Sequence, residues 1–429
     1  CDYDLNHMVQ TVNDVNEEYL IKNWINLWES RLVDTIQVRA ISDIEKIKSC
    51  RSFAGTILIS SLSISDLVIP CIQNFEGTID INSNGNIRRI SLPNLVSATR
   101  ISISNQAMLT TLEFPSIQKI DTLTIKKLPN LADLSFSSML NETKNLEISE
   151  TGARGILVLK VNKMSNLRVE NNKQLEYLQA PNMESINTIY LTENGKGKFD
   201  FTAPYLSNVN DLTVKSVGSL SLPSLSMVSN NFVASENSFS SLSLQNLRSI
   251  TGAMTIDRNQ YLNSTNFPEL QTIGSSLVIS NNPSLEKING FPKLERIGGS
   301  ADITGSFSEL EASKLNEIKG GINVQTKSER FRCEAVVKLK NEGVVKGDTT
   351  VCLSGIKEPK GVLAQPQTGF PVINKTVGGE TNKGTTTNTS STKNKTLLHS
   401  DGTKHKINNF DVLCRILIAL IIVYNFYEI

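Results

Sequence analysis

Residues 101–125 read ISISNQAMLTTLEFPSIQKIDTLTI and contain the unit from which most of the chain is built. The unit begins with an apolar–polar–apolar triplet, Ile101-Ser102-Ile103, and the next triplet begins 22 residues later at Leu123. Alternation of this kind is typical of a β-strand with one buried face. We call each triplet a rung, and the residues from the start of one rung to the start of the next a coil.

The rung occurs thirteen times, with first residues 20 to 24 positions apart. The rungs are 57–59, 79–81, 101–103, 123–125, 146–148, 167–169, 189–191, 212–214, 232–234, 254–256, 277–279, 301–303 and 322–324. One such strand cannot bury its apolar face alone, whereas coils stacked in register form a parallel sheet over a continuous core. The sequence therefore predicts a mainly β fold, a right-handed parallel β-solenoid, over residues 50–332.

Two further features recur with the rungs. Apolar–Pro–x–apolar motifs suit repeated corners, because proline fixes φ and donates no amide hydrogen. They start at Leu92, Phe114, Leu128, Ala180, Ala203, Leu222, Phe267 and Phe291.

In six coils an asparagine follows the rung by three residues, and we expect these side chains to stack as a ladder that bonds neighbouring backbone. They are Asn84, Asn172, Asn194, Asn237, Asn259 and Asn282.

The composition excludes several classes of function. The chain of 429 residues has 43 basic and 42 acidic side chains and no basic stripe with interleaved aromatics, so nucleic acid is not an expected partner. The histidines are His7, His399 and His405, all outside the repeat. Histidine-based triads and metal cages therefore cannot be built within it, and no cofactor or metal is expected.

Acidic residues are scattered along the repeat, and some β-helices cleave carbohydrate with a pair of carboxylates. The acids Asp80, Glu147, Glu170 and Asp257 occupy different positions in their coils. We therefore expect a solvated face rather than a catalytic acid and base, and no catalytic residue is predicted.

The first 49 residues do not fit the repeat and are predicted to form a helical N-terminal cap. Residues 16–32 have the apolar spacing of an amphipathic helix and contain both tryptophans. An open solenoid end needs covering, so a cap over the first coil is favoured over a membrane-binding or partner helix.

Three cysteines near the N-terminal end are candidates for one bridge. We favour Cys1–Cys50, which would tie the cap to the solenoid, although stacked coils would also bring Cys50 near Cys71. The chain starts at Cys1 rather than at a methionine, which we interpret as removal of a targeting segment; a trimmed chain would have the same start.

A second pair of cysteines frames a short segment after the last rung. Cys333 precedes a predicted helix at 334–341, and Cys352 follows that helix. A bridge between the two is predicted, because closing a loop of this size contributes about 3 kcal/mol. Residues 333–357 are thus expected to form a disulfide-tied C-terminal cap.

Residues 358–400 are rich in Pro, Gly, Thr, Asn, Ser and Lys and are predicted to form a flexible stalk open to O-glycosylation. Asn-x-Ser/Thr sequences for N-glycosylation occur in the stalk and in the repeat. Their acceptors are Asn141, Asn263, Asn374, Asn388 and Asn394. Such sequences also arise by chance in a chain rich in Asn and Ser, but together with the Cys1 start they favour a secretory route.

The end of the chain has the arrangement of a glycosylphosphatidylinositol (GPI) attachment signal. Small residues at 400–402 are followed by a polar spacer at 403–411 and an apolar tail at 412–427. About 20 apolar residues are needed to span a bilayer, so a lipid anchor is favoured over a marginal transmembrane helix. Ser400 is the predicted attachment residue, and 401–429 are predicted to be removed.

Together these features resemble a known family. The chain combines a cysteine-containing cap, Cys50 with the Gly55-Thr56-Ile57 entry, the rungs and Leu-Pro-x-Leu corners, the second cysteine pair, a stalk and a lipid-anchor tail. In this order they resemble the fungal anchored cell-wall organisation proteins built on receptor-L-domain-like (leucine-rich-like) repeats. That group includes the sporulation-specific wall proteins of budding yeasts. The resemblance implies a non-enzymatic role in building the glucan and mannoprotein wall, with the spore wall as one candidate.

Two classes of function follow. The first is a structural or interaction protein, at the outer face of the plasma membrane or in the wall, that contacts wall polysaccharide or wall-building proteins. The second is a carbohydrate-binding or carbohydrate-cleaving β-helix that acts on wall glucan. Facing carboxylates about 5 to 10 Å apart would support cleavage, and a strip of exposed aromatics would support binding. Aromatics are only 6% of the chain and show no regular spacing, so the first class is favoured.

Overall fold

The computed structural model describes residues 35–45 and 50–361 and consists mainly of β-strands. It contains helices α1 (Ile41–Glu45) and α2 (Glu334–Asn341) and 3-10 turns at Ser135–Met139 and Gly195–Gly197. The strands are β1 (Thr35–Val38), β2 (Ser52–Ser60), β3 (Asp66–Val68), β4 (Asn74–Asn82), β5 (Arg89–Ser91), β6 (Ser97–Ser104), β7 (Thr111–Glu113), β8 (Lys119–Leu128), β9 (Glu142–Thr151), β10 (Gly155–Val158), β11 (Lys163–Glu170), β12 (Leu175–Gln179), β13 (Ser185–Thr192), β14 (Phe199–Thr202), β15 (Asn208–Lys215), β16 (Val217–Ser221), β17 (Met227–Val228), β18 (Phe232–Ser235), β19 (Ser241–Ser243), β20 (Ser249–Ile250), β21 (Met254–Asp257), β22 (Ser264–Asn266), β23 (Thr272–Ile273), β24 (Leu277–Asn282), β25 (Lys287–Ile288), β26 (Arg296–Ile297), β27 (Ala301–Gly305), β28 (Glu309–Leu310), β29 (Glu317–Ile318), β30 (Ile322–Thr326) and β31 (Thr350–Leu353).

All thirteen predicted rungs lie in one parallel sheet, which we call the main sheet. Ile57 pairs with Ile79, and Ile79 pairs with Ile101. The row continues through the first residue of every later rung and ends with Ala301 opposite Ile322. The predicted parallel β-solenoid is therefore confirmed.

The main sheet extends beyond the predicted range 50–332 at each end. At the N-terminal end β1 pairs with β2 through Ile36 and Ile57, so a strand lies within the segment assigned to the cap. At the C-terminal end β31 pairs with β30, with Cys352 opposite Val324. Sequence patterns do not distinguish β1 from the cap, because no corner motif follows it. The predicted helix at 16–32 lies outside the described residues.

After its rung each coil turns at what we call the first corner. Most coils then form a short strand on a second side of the solenoid. The chain returns to the main sheet through what we call the second corner. The short strands pair in four smaller sheets: β3-β5-β7, β10-β12-β14-β16, β19-β22 and β25-β28. Aliphatic and aromatic side chains from both sides fill the interior; Ile103, Leu212 and Phe201 are all 0% exposed. The core is thus continuous along the stacked coils.

We expected every proline motif to lie at the same corner of its coil, but the motifs lie at two different corners. Seven lie at the second corner, but the motif at Leu128 lies at the first corner, in the place of a ladder asparagine. The Leu131 N–H donates to the Leu128 carbonyl at 3.1 Å, as the Leu175 N–H donates to the Asn172 carbonyl at 3.0 Å. Both corners are tight turns, so a proline fits either one.

The six ladder asparagines are buried and hydrogen-bonded, as predicted. Asn259 shows the pattern: its Nδ2 donates to the Ala234 carbonyl and to Asn282 Oδ1, both at 3.0 Å. Its Oδ1 accepts from the backbone N–H and the Nδ2 of Asn237, both at 2.9 Å. The Asn259 side chain therefore joins its own coil to both neighbours, whereas the side chain of Asn194 bonds only the preceding coil, through Val169 and Asn172.

Other residue types occur at the ladder position in some coils. Gln106 is fully buried and accepts from the Asn84 N–H at 3.2 Å, so it acts as a longer asparagine. Leu128 and Val217 are apolar and interrupt the ladder. The Val217 N–H still donates to Asn237 Oδ1 at 3.0 Å, which keeps that corner satisfied.

We expect Asn259→Ala to lower the free energy of unfolding by about 3 kcal/mol, because it leaves the buried Ala234 carbonyl and Asn237 N–H without partners. Asn246→Ala is the matched control: its Nδ2 donates to the Pro223 carbonyl at 2.7 Å, but the side chain is exposed. Its loss should be about 1 kcal/mol or less, since water replaces the bond. Denaturant unfolding of both variants measures the difference, and equal losses would contradict the ladder's role.

Candidate functional site

The outward side chains at the centre of the rungs form a row along the main sheet, which we call the sheet face. Its members are partly exposed and follow one another in register from coil to coil. They are Leu58, Asp80, Ser102, Thr124, Glu147, Arg168, Tyr190, Thr213, Val233, Thr255 and Val278. This regular surface is the candidate region for contact with a partner.

A charged cluster stands in the middle of the sheet face. The Glu147 carboxylate lies 2.7 Å from Lys126 Nζ and 3.5 Å from Arg168 Nε. Arg168 also donates two hydrogen bonds to Glu170, at 3.0 and 2.6 Å, and its guanidinium carbon lies 4.2 Å from the centre of the Tyr190 ring. Partial burial by itself lowers the pKa of Arg168. The hydrogen bond and the charge of Glu170, together with Tyr190 and Glu147, raise it by more, so the pKa of Arg168 lies above its usual value. The cluster is therefore a set of mutually neutralised ions.

Three of the four acids considered for cleavage, Glu147, Glu170 and Asp257, are engaged with donors. Arg168 contacts both Glu147 and Glu170, and these are its nearest ionic partners. Asp257 accepts from Ser280 Oγ at 2.5 Å and lies 3.1 Å from Arg258 Nε. Carboxylates held in this way suit a solvated, ion-paired surface better than the acid and base of a glycosidase.

At the C-terminal end of the main sheet the corresponding positions are covered by the chain that leaves β31. Asn323 and Gln325 donate to the Lys360 carbonyl at 3.1 and 3.0 Å, and the Lys360 N–H donates to Gln325 Oε1 at 3.0 Å. Asn323 also donates to Asp302 at 2.8 Å, beside Gly361. These polar side chains are buried. No sequence pattern indicates this contact, because Asp302, Asn323 and Gln325 resemble ordinary outward residues of their strands.

Among the residues that the structure describes, the exposed tyrosines lie on the second side and at the corners of the solenoid and do not form a strip. Tyr177 stands within β12 and is 40% exposed, whereas Tyr205 lies at a second corner and Tyr261 at a first corner. Tyr177 is next to Asp200 in the neighbouring strand.

Partial burial raises the pKa of the Asp200 carboxyl.

Comparison with known proteins identifies the family. No family model matches the chain. Sporulation-specific protein 2 of Saccharomyces cerevisiae is 30% identical over 317 residues, which cover 73% of this chain and 63% of that protein, less than two thirds of its length. The cell surface GPI-anchored protein of Arthroderma benhamiae is 30% identical over 320 residues, which cover 74% of this chain and 81% of that protein. The chain belongs to this family of fungal cell-surface GPI-anchored proteins.

A further member of the family carries a name that refers to the wall. Cell wall mannoprotein PST1 of Saccharomyces cerevisiae is 27% identical over 320 residues, which cover 74% of this chain and 71% of that protein. These relatives are named as surface, wall or sporulation proteins rather than as enzymes. The expected resemblance is therefore confirmed.

The structure also locates the cysteines of this family member. Cys333 and Cys352 are bonded to each other with Cα atoms 5.9 Å apart, so the bond joins the start of α2 to β31. Cys50 is disulfide-bonded and Cys71 is a free thiol, which excludes the Cys50–Cys71 alternative. Cys1 lies outside the described residues, so the Cys1–Cys50 bridge stays a prediction.

The remaining predicted sites divide between described and undescribed parts of the chain. Asn141 and Asn263 are exposed at corners. Asn374, Asn388, Asn394, Ser400 and the apolar tail lie outside the described residues. Within 35–45 and 50–361, no group of three or more His, Cys, Asp or Glu side chains is arranged to hold a metal ion. No helix in these ranges has the length and apolar character needed to cross a bilayer.

We expect Asp200→Asn to stabilise the protein at about pH 7 and to lose this advantage at about pH 3. Because the pKa of Asp200 is raised on folding, the folded state holds this proton more tightly, and wild-type stability falls as pH rises through that pKa. Asp257→Asn is the control and should destabilise at neutral pH by removing the contact with Arg258. Thermal unfolding at both pH values measures the effect; a gain for Asp200→Asn that persists in acid would contradict it.

Proposed function

We propose that this protein is a non-enzymatic, GPI-anchored glycoprotein of the cell surface that organises and assembles the fungal cell wall. The observation that carries the proposal is the 30% identity with a cell surface GPI-anchored protein, 81% of which is covered by the match. The ion-paired carboxylates of the sheet face support a contact surface over a hydrolytic site. The partners are wall polysaccharide or wall-building proteins, and nucleic acid is not among them.

The stacked coils suit such a role physically. Parallel strands place equivalent side chains about 4.8 Å apart, so the sheet face offers a long, regular series of contacts. Recognition spread over many coils tolerates the loss of any one contact. The predicted stalk starts at 358, but Lys360 is hydrogen-bonded to Asn323 and Gln325 of β30, so its first residues belong to the cover of the solenoid. In this proposal the part of the stalk after residue 361 separates the solenoid from a lipid anchor on Ser400, at the outer face of the plasma membrane or in the wall.

The similarity to sporulation-specific protein 2 extends the proposal to one stage of the life cycle. That relative and the Arthroderma benhamiae protein are both 30% identical to this chain. We therefore include assembly of the ascospore wall as the specific process, to be tested beside growth of the vegetative wall. The bound polymer would differ between the two walls, while the solenoid would present the same surface.

Carbohydrate binding is the second candidate function, and the exposed tyrosines favour it over cleavage. Tyr205 and Tyr261 are 64% and 62% exposed, and an aromatic ring with a free hydroxyl can both stack on and hydrogen-bond to a sugar. Their different positions in the coil argue for separate contacts rather than one groove. Binding of purified protein to insoluble glucan, with Tyr205→Ala and Tyr261→Ala as variants, tests this candidate.

Deletion of residues 412–429 should release the protein into the medium, because the apolar tail is needed for transfer to the lipid. The full-length protein should stay with the membrane or wall fraction, and phosphatidylinositol-specific phospholipase should release its membrane-bound form when the lipid is of a sensitive type. Fractionation and immunoblotting of both forms measure this. A deleted form that stays membrane-bound would show that the anchor assignment is wrong.

Single alanine substitutions of Asp80, Glu147 and Asp257 should leave wall integrity nearly intact in a deletion strain. In contrast, Ile103→Asp places an unpaired charge at a position that is 0% exposed, costs several kcal/mol and should abolish function through misfolding. Growth on wall-stressing medium and spore survival, with protein amounts checked, provide the readout. Complete loss of function from one well-expressed acid variant would favour an enzyme instead.

A further inference from the structure

Two inward rows of the solenoid are apolar except at one position each. In the main sheet Thr143 pairs with Ile120, and the row continues through Ala98 to Phe75. On the other side of Thr143 the row resumes with Met164 and stays apolar through the coils that follow. A threonine is therefore the exception in an otherwise hydrophobic column.

The second exception lies on the other side of the solenoid. Thr265 pairs with Leu242, and the same place in other short strands holds Leu112, Leu178 or Phe201. Both threonines are almost completely buried, with 3% exposure for Thr143 and 5% for Thr265. Neither Oγ1 atom has a hydrogen-bond partner. A buried hydroxyl without a partner destabilises a fold, and valine has nearly the same shape without that cost.

Two other buried hydroxyls among the described residues also lack a partner, but their positions differ. Ser235 lies in a row of polar residues, opposite Asp257 and Lys215. Thr350 lies in the terminal strand of the main sheet. Thr143 and Thr265 therefore differ from Ser235, because each replaces an apolar residue in an otherwise apolar inward row. They differ from Thr350 because neither lies in the terminal strand.

These two threonines share one property in the sequence. Each is the third residue of an Asn-x-Thr sequence whose asparagine is exposed at a corner: Asn141-Glu142-Thr143 and Asn263-Ser264-Thr265. The segment Asn316-Glu317-Ile318 provides the comparison. Asn316 is exposed at the same corner as Asn141, and its N–H makes the same bond to the preceding coil, but Ile318 fills the inward position. Folding alone therefore calls for an apolar residue there.

We propose that Asn141 and Asn263 carry N-linked oligosaccharides, and that Thr143 and Thr265 are present for the hydroxyl that the transferring enzyme requires. In the transfer, a bond forms between the sugar C1 and the asparagine Nδ2, and the bond from C1 to the diphosphate of a polyisoprenyl-linked donor breaks. The lipid diphosphate leaves, and the amide nitrogen gives up one proton. Since the folded coil hides both hydroxyls, the transfer precedes closure of these coils. This inference rests on the secretory route of the proposed function.

Site mapping of the secreted full-length protein tests the modification. Treatment with peptide N-glycosidase in heavy-oxygen water converts an occupied asparagine to a labelled aspartate, which peptide mass spectrometry locates. We expect label at Asn141 and Asn263 in the wild type, loss of one site in each of Thr143→Val and Thr265→Val, and retention in the corresponding Thr→Ser variants. Secreted protein without label at both sites would overturn the inference while leaving the surface location intact.

A second measurement separates the hydroxyl from the glycan. Asn141→Gln and the double variant Asn141→Gln/Thr143→Val both lack the glycan at this corner, so they differ only in the buried side chain. The double variant should unfold at a higher denaturant concentration. If it unfolds at a lower concentration, the hydroxyl has a structural role and the explanation given for Thr143 is wrong.

A gain-of-site variant completes the test. Ile318→Thr turns Asn316-Glu317-Ile318 into an acceptor sequence at an equivalent corner, and we expect a new labelled site at Asn316 together with a lower unfolding midpoint. Failure of Asn316 to accept a glycan, with the protein secreted, would show that these corners are not reached by the transferring enzyme before they close.

Discussion

The strict register of the main sheet is the constraint on which the rest of the structure depends. A slip of one residue would turn the apolar side chains of a rung outward, so each strand must align with its neighbours although the coils differ in length. Leu212 still pairs with Phe232 after 20 residues, and Leu277 with Ala301 after 24. The variation must therefore be absorbed away from the rungs. The 3-10 turns at Ser135–Met139 and Gly195–Gly197 lie in the coils that run from Leu123 to Leu146 and from Ile189 to Leu212. A Cβ on Gly195 would lie 2.6 Å from the Leu175 carbonyl oxygen, so the second of these turns needs glycine.

The same constraint explains an unfavourable backbone conformation that recurs beside the asparagine ladder. The residue before the ladder position has positive φ even where it is neither Gly nor Asn, as at Lys127 (56°), Glu236 (57°) and Arg258 (52°). Such a conformation costs on the order of 1 kcal/mol for these residue types. It turns the chain so that its amides meet the next coil: the Glu236 N–H donates to the Asp257 carbonyl at 3.0 Å. Such a backbone hydrogen bond contributes about 1 kcal/mol, which is comparable with the cost of the conformation.

Sequence reasoning predicted what the period controls and missed what depends on contacts between distant segments. The rungs, their pairing and the six ladder asparagines could be predicted because each coil repeats the same local pattern. Gln106 was missed as a ladder residue because its side chain is one carbon longer than that of asparagine, although it makes the equivalent bond. The cover over Asn323 depends on Lys360, 37 residues away, and has no periodic signal. At the candidate site the sequence shows where the acids lie in each coil. The contact of Glu147 with Arg168 could not be predicted, because it depends on how far the two side chains extend across neighbouring strands.

The division between inward and outward residues also bears on what the surface recognises. Inward residues fix the fold, whereas the outward rows determine what the surface can contact. In this chain the charges at the centre of the sheet face neutralise one another, and the whole chain has a formal net charge of +1. Long-range attraction to a polyanion or a polycation is therefore weak. Beside the cluster, Asn145 and Asn166 form an uncharged polar row, in which Asn166 donates to Asn145 at 2.6 Å. If the proposed function holds, we expect this row to contact a neutral polysaccharide, because such a polymer offers hydrogen bonds and no charge.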